Sequence, residues 1–408
     1  MKICIFVDNY FKGGVAKVVN SLITNWPDAS DTLVFITNHN NPMLQELDLT
    51  CFDSVHVETF NFVSTSGWFS GASPRSLGGW VTVPLNIFRK VLKPWVLVNQ
   101  IIFFQKWFRV TKFDAFLNIN GGYPGSITSR AAAIGWSRSK LSGRQVMAIH
   151  SFSSPSRFGF KRTDQVIDRA VFASVDEIVT VSNACKQSFI NRPGMNSCAH
   201  ATVVSNGVKS NSRERTKREL KRNSLGLNKD QTLVLMLGTY EARKGHKFLI
   251  DAFEKFHKLL PTSILICAGD DSIEQIMILK QVVSDLQLDT AVFFLGFQKD
   301  CSDLLEACDI VAIPSQEYES FCLVAVDAFM YAKPIVATNV GALPEIIPDQ
   351  VCGTLCSPED SNAFARALFE ISTDKNLYNR YSEASEARIT IYNFETMLLG
   401  YLRSVKNL

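Results

Sequence analysis

Residues 311–345 leave few folds open: an apolar run, a proline, a stretch of helical period, then a second apolar run. Val311, Ala312 and Ile313 read as a short buried strand that Pro314 closes. LVAVDAFMYA reads as the helix after it and KPIVAT as the next buried strand, the pattern of a parallel sheet. Two carboxylates stand in this frame, Glu319 in the turn and Asp327 inside the helix. Both are expected to face a crevice at the carboxyl end of the sheet, where open α/β sheets bind ligands. The helix N-terminus, expected at about 320–323, offers free backbone N–H groups to an anion. Hydroxyl-binding carboxylates beside a phosphate-binding helix end point to a nucleotide sugar.

The same alternation runs through the chain in two series. KICIFV is a buried strand, and FKGGVAKVVNSLITNW turns through Gly13 and Gly14 into an amphipathic helix. DTLVFIT, DAFLNIN, QVMAIHS and DEIVTVS are further strands. A second series restarts at TLVLMLG, with a helix from about 246 to 260, then SILICAGD, AVFFLG and DIVAIPS. Such alternation predicts doubly wound parallel sheets. The polar, charge-rich run 205–231 separates the series, placing a domain boundary near Asn211. The expected domains are 1–210 and 211–389, with an apolar helical segment at 390–408.

A chain of 408 residues exceeds the usual size of one core, which also argues for two domains. Its net charge of +3 is too small to point to nucleic acid. The 10 cysteines form no metal-type CxxC pair, and Cys4 and Cys267 sit in apolar runs. That usage suits a reducing compartment, and MKICIFVDN turns polar too early for a signal peptide, so a cytoplasmic location is expected.

The stretch around Glu319 resembles the retaining glycosyltransferases of family 4 (glycosyl transferases group 1), which have the GT-B fold of two Rossmann-like domains facing a cleft. Pro314, Ser315, Glu319, Phe321, Leu323, Ala328, Pro334, Thr338, Gly341 and Glu345 keep step with the family pattern. Cys322 and Ala332 stand where glycine is usual, and Asp327 where glutamate is usual. The resemblance implies that Glu319 contacts the donor sugar and Asp327 the ribose hydroxyls. It places Ser320, Phe321, Cys322, Leu323 and Val324 along the donor. In GTYEARKGH, Gly238, Thr239, Arg243 and Lys244 occupy the family's diphosphate-binding turn, with Thr239 where an arginine is usual. Lys244 is expected to stabilise the departing nucleotide, and Gly14 to lie at a glycine turn beside phosphate or acceptor. His150, ending the strand QVMAIH, matches a family histidine near the donor sugar. Ser182 and Asn183 are expected to cap a helix, and Asn206–Gly207 to form a turn.

These residues together imply a metal-independent transferase, with Glu319, Lys244 and His150 catalytic. It takes a UDP- or GDP-sugar as substrate rather than a cofactor, and acts on a glycan or lipid-linked acceptor. The family also implies that the segment 390–408 crosses back onto the first domain. Two other readings stay open: a GT-B sugar-nucleotide epimerase, which needs no acceptor, and a non-catalytic transferase-like partner subunit. Segment 60–113 is unusual, with seven basic residues, no acidic ones and many aromatics, among them Trp68, Trp80, Trp95 and Trp107. Its uncharged run 94–105 falls short of the ~20 residues that span a bilayer. It fits an interfacial helix on the inner face of a membrane, or the aromatic core of the first domain.

Overall fold

The central strands are largely apolar runs because both faces of each sheet are covered there, as parallel sheets require, while the edge strand Val55–Phe60 (VHVETF) has no buried residue. The computed structural model describes residues 1–8, 14–45, 55–61, 79–156, 161–192, 201–209, 218–269 and 273–408, without the side chains at 43, 45, 79–93 and 191. Gly13, Trp68, Asn211 and the side chain of Trp80 therefore lie outside the description. The chain divides into two compact units, Met1–Ser205 with Met397–Leu408, and Asn206–Thr396.

The first unit holds β1 (Lys2–Val7), β2 (Thr32–Asn38), β3 (Val55–Phe60), β4 (Ala115–Asn120), β5 (Arg144–Ile149), β6 (Glu177–Thr180) and β7 (Ala201–Val203). They form one parallel sheet in the order β3-β2-β1-β4-β5-β6-β7. The second holds β8 (Thr232–Leu237), β9 (Ser263–Ala268), β10 (Val292–Phe294), β11 (Ile310–Ile313), β12 (Ile335–Thr338) and β13 (Gly353–Cys356). Their order is β10-β9-β8-β11-β12-β13. Each sheet is Rossmann-like. The winding reverses between β1 and β4 in one and between β8 and β11 in the other, and such switch points open a crevice at the carboxyl edge.

The last helix, Phe394–Lys406, packs against the first sheet. Arg144 Nε donates to Ser404 O (2.7 Å), and Lys406 pairs with the buried Asp31 (2.8 Å). Ser182 caps its helix by accepting from Cys185 N–H (3.0 Å). Asn206–Gly207 does not make the expected turn. A Cβ at Gly207 would lie 2.3 Å from Asn393 O, and Val208 N–H donates to Tyr392 O (3.1 Å), so glycine serves a close backbone approach.

The helix Leu323–Met330 ends with Lys333 N–H bonded to Ala328 O and Ala332 N–H to Phe329 O, both at 2.9 Å. That pair of bonds closes a Schellman motif, whose C′ residue adopts a left-handed conformation. Ala332 occupies that position at φ 48°. An alanine there carries a Cβ penalty that glycine escapes. Ala332→Gly is expected to raise stability by about 0.5–1 kcal/mol, read as a higher denaturation midpoint at unchanged slope.

Candidate functional site

The loops after β8 and β11 leave neighbouring strands at the switch point and are pressed together. Gly245 has φ 81°, and a Cβ there would lie 1.9 Å from Pro314 O. Gln316 N–H also donates to Arg243 O (2.7 Å). This contact brings Lys244 Nζ to 2.6 Å from Glu319 Oε2. Ser315 Oγ donates to the same oxygen (3.1 Å), while the Thr338 hydroxyl holds Ser315 O. The turn after β12 fixes the backbone of Glu319: Ala342 N–H donates to its carbonyl (2.7 Å), and a Cβ at Gly341 would stand 2.4 Å from that oxygen. Glu319 is only 7% exposed, so its carboxylate is aimed by three segments of chain rather than free in water.

The remaining residues of the second unit surround this pair. Thr239 Oγ1 donates to Glu241 Oε1 (3.1 Å), and Arg243 Nε to Glu241 Oε2 (2.6 Å), with Arg243 lying over the Tyr318 ring. Arg243 is therefore neutralised by Glu241 and does not simply replace the missing arginine at 239. A Cβ at Gly238 would meet nothing closer than 3.8 Å. Helix Leu323–Met330 starts within the expected range, with Cys322 at its N-cap and no side-chain cap bond. Ser320 and Phe321 precede it, and Phe321 packs its ring on Tyr392 (5.7 Å). Cys322 has φ −106° and ψ 96°, an ordinary extended backbone that does not demand glycine. Burial pushes its thiol up to about 12, so it stays neutral. Leu323 and Val324 open the helix half-buried, and Asp327 lies one turn further in, also half-buried.

In the first unit, Gly14 opens the helix Gly14–Thr24 after β1. His150 follows β5, its N–H bonded to Asn120 O (3.0 Å), and its ring lies parallel to that of Tyr401 with Nε2 3.1 Å from the Tyr401 hydroxyl. The loops after β4 and β5 are joined through Asp168, which accepts from Tyr123 Oη (2.7 Å) and from Arg192 at 3.0 and 2.9 Å. Arg192 also donates to Ser154 O (3.1 Å). Neither Tyr401 nor this network carried a signal in the sequence.

The geometry thus places a cation, a held carboxylate and an uncapped helix end at the switch point of the second sheet. Residues 217–388 match the family model described as Glycosyl transferases group 1. N-acetyl-alpha-D-glucosaminyl L-malate synthase of Bacillus anthracis is 27% identical over 192 residues, 45% of this chain and 49% of that protein. Lipopolysaccharide 1,2-N-acetylglucosaminetransferase of Salmonella typhimurium is 25% identical over 217 residues, 51% of this chain and 57% of that protein. The chain thus spans about half the length of these curated relatives. The crystal structure of Anabaena HepE in complex with UDP superposes with a TM-score of 0.77 at 19% identity, over 100% of both chains. The fold is GT-B, and Lys244, Glu319 and Asp327 lie in the group 1 domain.

Two buried histidines give the chain an acid-labile component. Burial pushes His150 down to about 4, and burial with the Lys244 charge does the same to His246, at the start of the helix His246–Leu259. Unfolded, each takes up a proton near 6.5; folded, each stays neutral down to about 4. Between those values the unfolded chain binds the extra protons, so stability falls as pH drops. From pH 7 to 5 each histidine is expected to remove about 2 kcal/mol. Denaturant titrations at both pH values check this, with His150→Gln and His246→Gln each losing less on acidification than the wild type.

Proposed function

We propose that this chain is a retaining, metal-independent glycosyltransferase. It moves a hexose or N-acetylhexosamine from a UDP- or GDP-sugar to a glycan or lipid-linked acceptor in cell-surface polysaccharide or lipopolysaccharide synthesis. The observation that carries the reading is the Lys244–Glu319 pair beside the uncapped N-terminus of helix Leu323–Met330, within the matched domain. Support for the donor class comes from HepE, whose structures hold UDP and UDP-glucose, and for the acceptor class from the Salmonella relative named for lipopolysaccharide.

In this reading the diphosphate lies against Lys244 Nζ and the helix end, where a fixed cation and backbone N–H groups meet developing negative charge. Glu319 accepts hydrogen bonds from sugar hydroxyls through oxygens that Lys244 and Ser315 hold in place, and Asp327 accepts from the ribose. The bond from C1 to the phosphate oxygen breaks, and the acceptor oxygen bonds C1 on the same face. The acceptor proton passes to the departing phosphate. His150, neutral at physiological pH, serves as a hydrogen-bonding partner for a substrate hydroxyl.

Purified protein is to be incubated with UDP-glucose, UDP-galactose, UDP-N-acetylglucosamine and GDP-mannose, with glycan and lipid-linked acceptors, with and without EDTA. One donor is expected to give a product with the donor's anomeric configuration, unaffected by EDTA. Glu319→Ala should lower the rate by ~100-fold or more. Isomerised donor without acceptor, or donor binding without turnover, would overturn the reading.

A further inference from the structure

Over 94–111, where its side chains are described, the helix Gly79–Thr111 has two apolar faces, and the fold buries one. Leu97, Ile101, Phe104 and Phe108 are buried. They lie against the helix Ile127–Ser139, where a Cβ on Gly135 would stand 2.6 Å from Phe104 Cβ, and Phe108 meets Trp136 edge-on at 5.0 Å. On the other side Trp95 is 66% exposed, Val98 51%, Ile102 42% and Val110 81%. These positions fall on one stripe of the helix, at spacings of three, four and eight residues. Apolar side chains of that size on an outward face call for a partner.

Charge at the same end identifies that partner. Lys106 is exposed on the stripe itself and Lys112 just past the helix end, and Arg138 and Lys140 are exposed at the end of the adjoining helix. Arg109 ties the two helix ends together through Arg138 O (3.2 Å), and Lys2 Nζ adds a further cation at Thr111 O (2.9 Å). Among the described residues none of these six cations forms an ion pair with a carboxylate. Asp114 accepts the backbone N–H of Lys2 (2.7 Å) and offsets one of these charges. A second copy of this chain would bring the same excess of cations to the contact, because a twofold contact repeats the same patch on both sides. Among the described residues no helix is long and apolar enough to cross a bilayer. A stripe bearing tryptophan, flanked by unpaired cations, matches an anionic headgroup layer. We propose that this face docks on an anionic lipid surface, with Trp95, Val98 and Ile102 in the interface and the cations on the headgroups.

The proposal stands independently of the donor site and is tested on the full chain with sedimenting vesicles. One set is phosphatidylcholine alone, the other phosphatidylcholine with phosphatidylglycerol. The protein is expected to sediment with the anionic set only, and less at high salt. Lys106→Gln, Lys112→Gln and Arg138→Gln together should weaken partitioning on the order of 100-fold, at about fivefold per charge. Trp95→Ser with Ile102→Ser should also abolish sedimentation. Val166→Ser, at a side chain 68% exposed elsewhere in the same unit, should not. Unchanged melting temperatures show that the variants fold. Failure to sediment with either set at low salt, or equal sedimentation with both, would overturn the proposal. So would a dimer in light scattering that Trp95→Ser dissolves in a protein that ignores vesicles.

Discussion

An ion pair between residues 75 apart in sequence, Lys244 and Glu319, depends on two strands ending side by side. β8 and β11 meet that requirement only because the sheet reverses its winding between them. The pair also depends on Gly245, since any side chain there would collide with Pro314 O and force the loops apart. From this contact follow the aim of Glu319, the support from Ser315 and Thr338, and the position of the turn at Gly341.

Charge in this group is balanced and only partly buried, with the Lys244 side chain 20% and Glu319 9% exposed. Among the described residues the ammonium bonds to Glu319 and the carboxylate to Lys244 and Ser315 through one oxygen, so a ligand bearing phosphate and hydroxyls can engage both groups together. Removing one partner leaves the other poorly solvated. Arg243 and Glu241 form a second, closed pair alongside. The local field at the phosphate position therefore rests on Lys244 and the helix end more than on the number of basic residues in the turn.

Much of this was legible in the chain because buried parallel strands are written as unbroken apolar runs, each ending at a polar or glycine turn. The strand ends then place Lys244, Glu319 and His150 at carboxyl edges without further information. The helix start at Leu323 was legible too, but not what stands at its cap. Ser320 has the chemistry of a cap, yet Cys322 takes the position, and Phe321 is drawn into packing with Tyr392. Asn206–Gly207 has turn composition, but the close approach of Asn393 is what requires its glycine. Tyr401 reaches His150 across 251 residues, and no local pattern encodes so distant a contact. Composition marked 60–113 as basic and aromatic without telling which rings face inward. Only the fold separates Phe104 from Trp95.

The central claim is that Lys244 serves the phosphates while Glu319 serves the sugar. Titration calorimetry with the bare nucleoside diphosphate, UDP or GDP, and with the matching nucleotide sugar tests it most directly. Lys244→Ala should weaken both ligands about tenfold or more, as loss of a charge-assisted contact does. Glu319→Ala should weaken only the nucleotide sugar and leave the bare diphosphate bound as well or better. Equal losses for both ligands in Glu319→Ala, or undiminished binding in Lys244→Ala, would contradict the account.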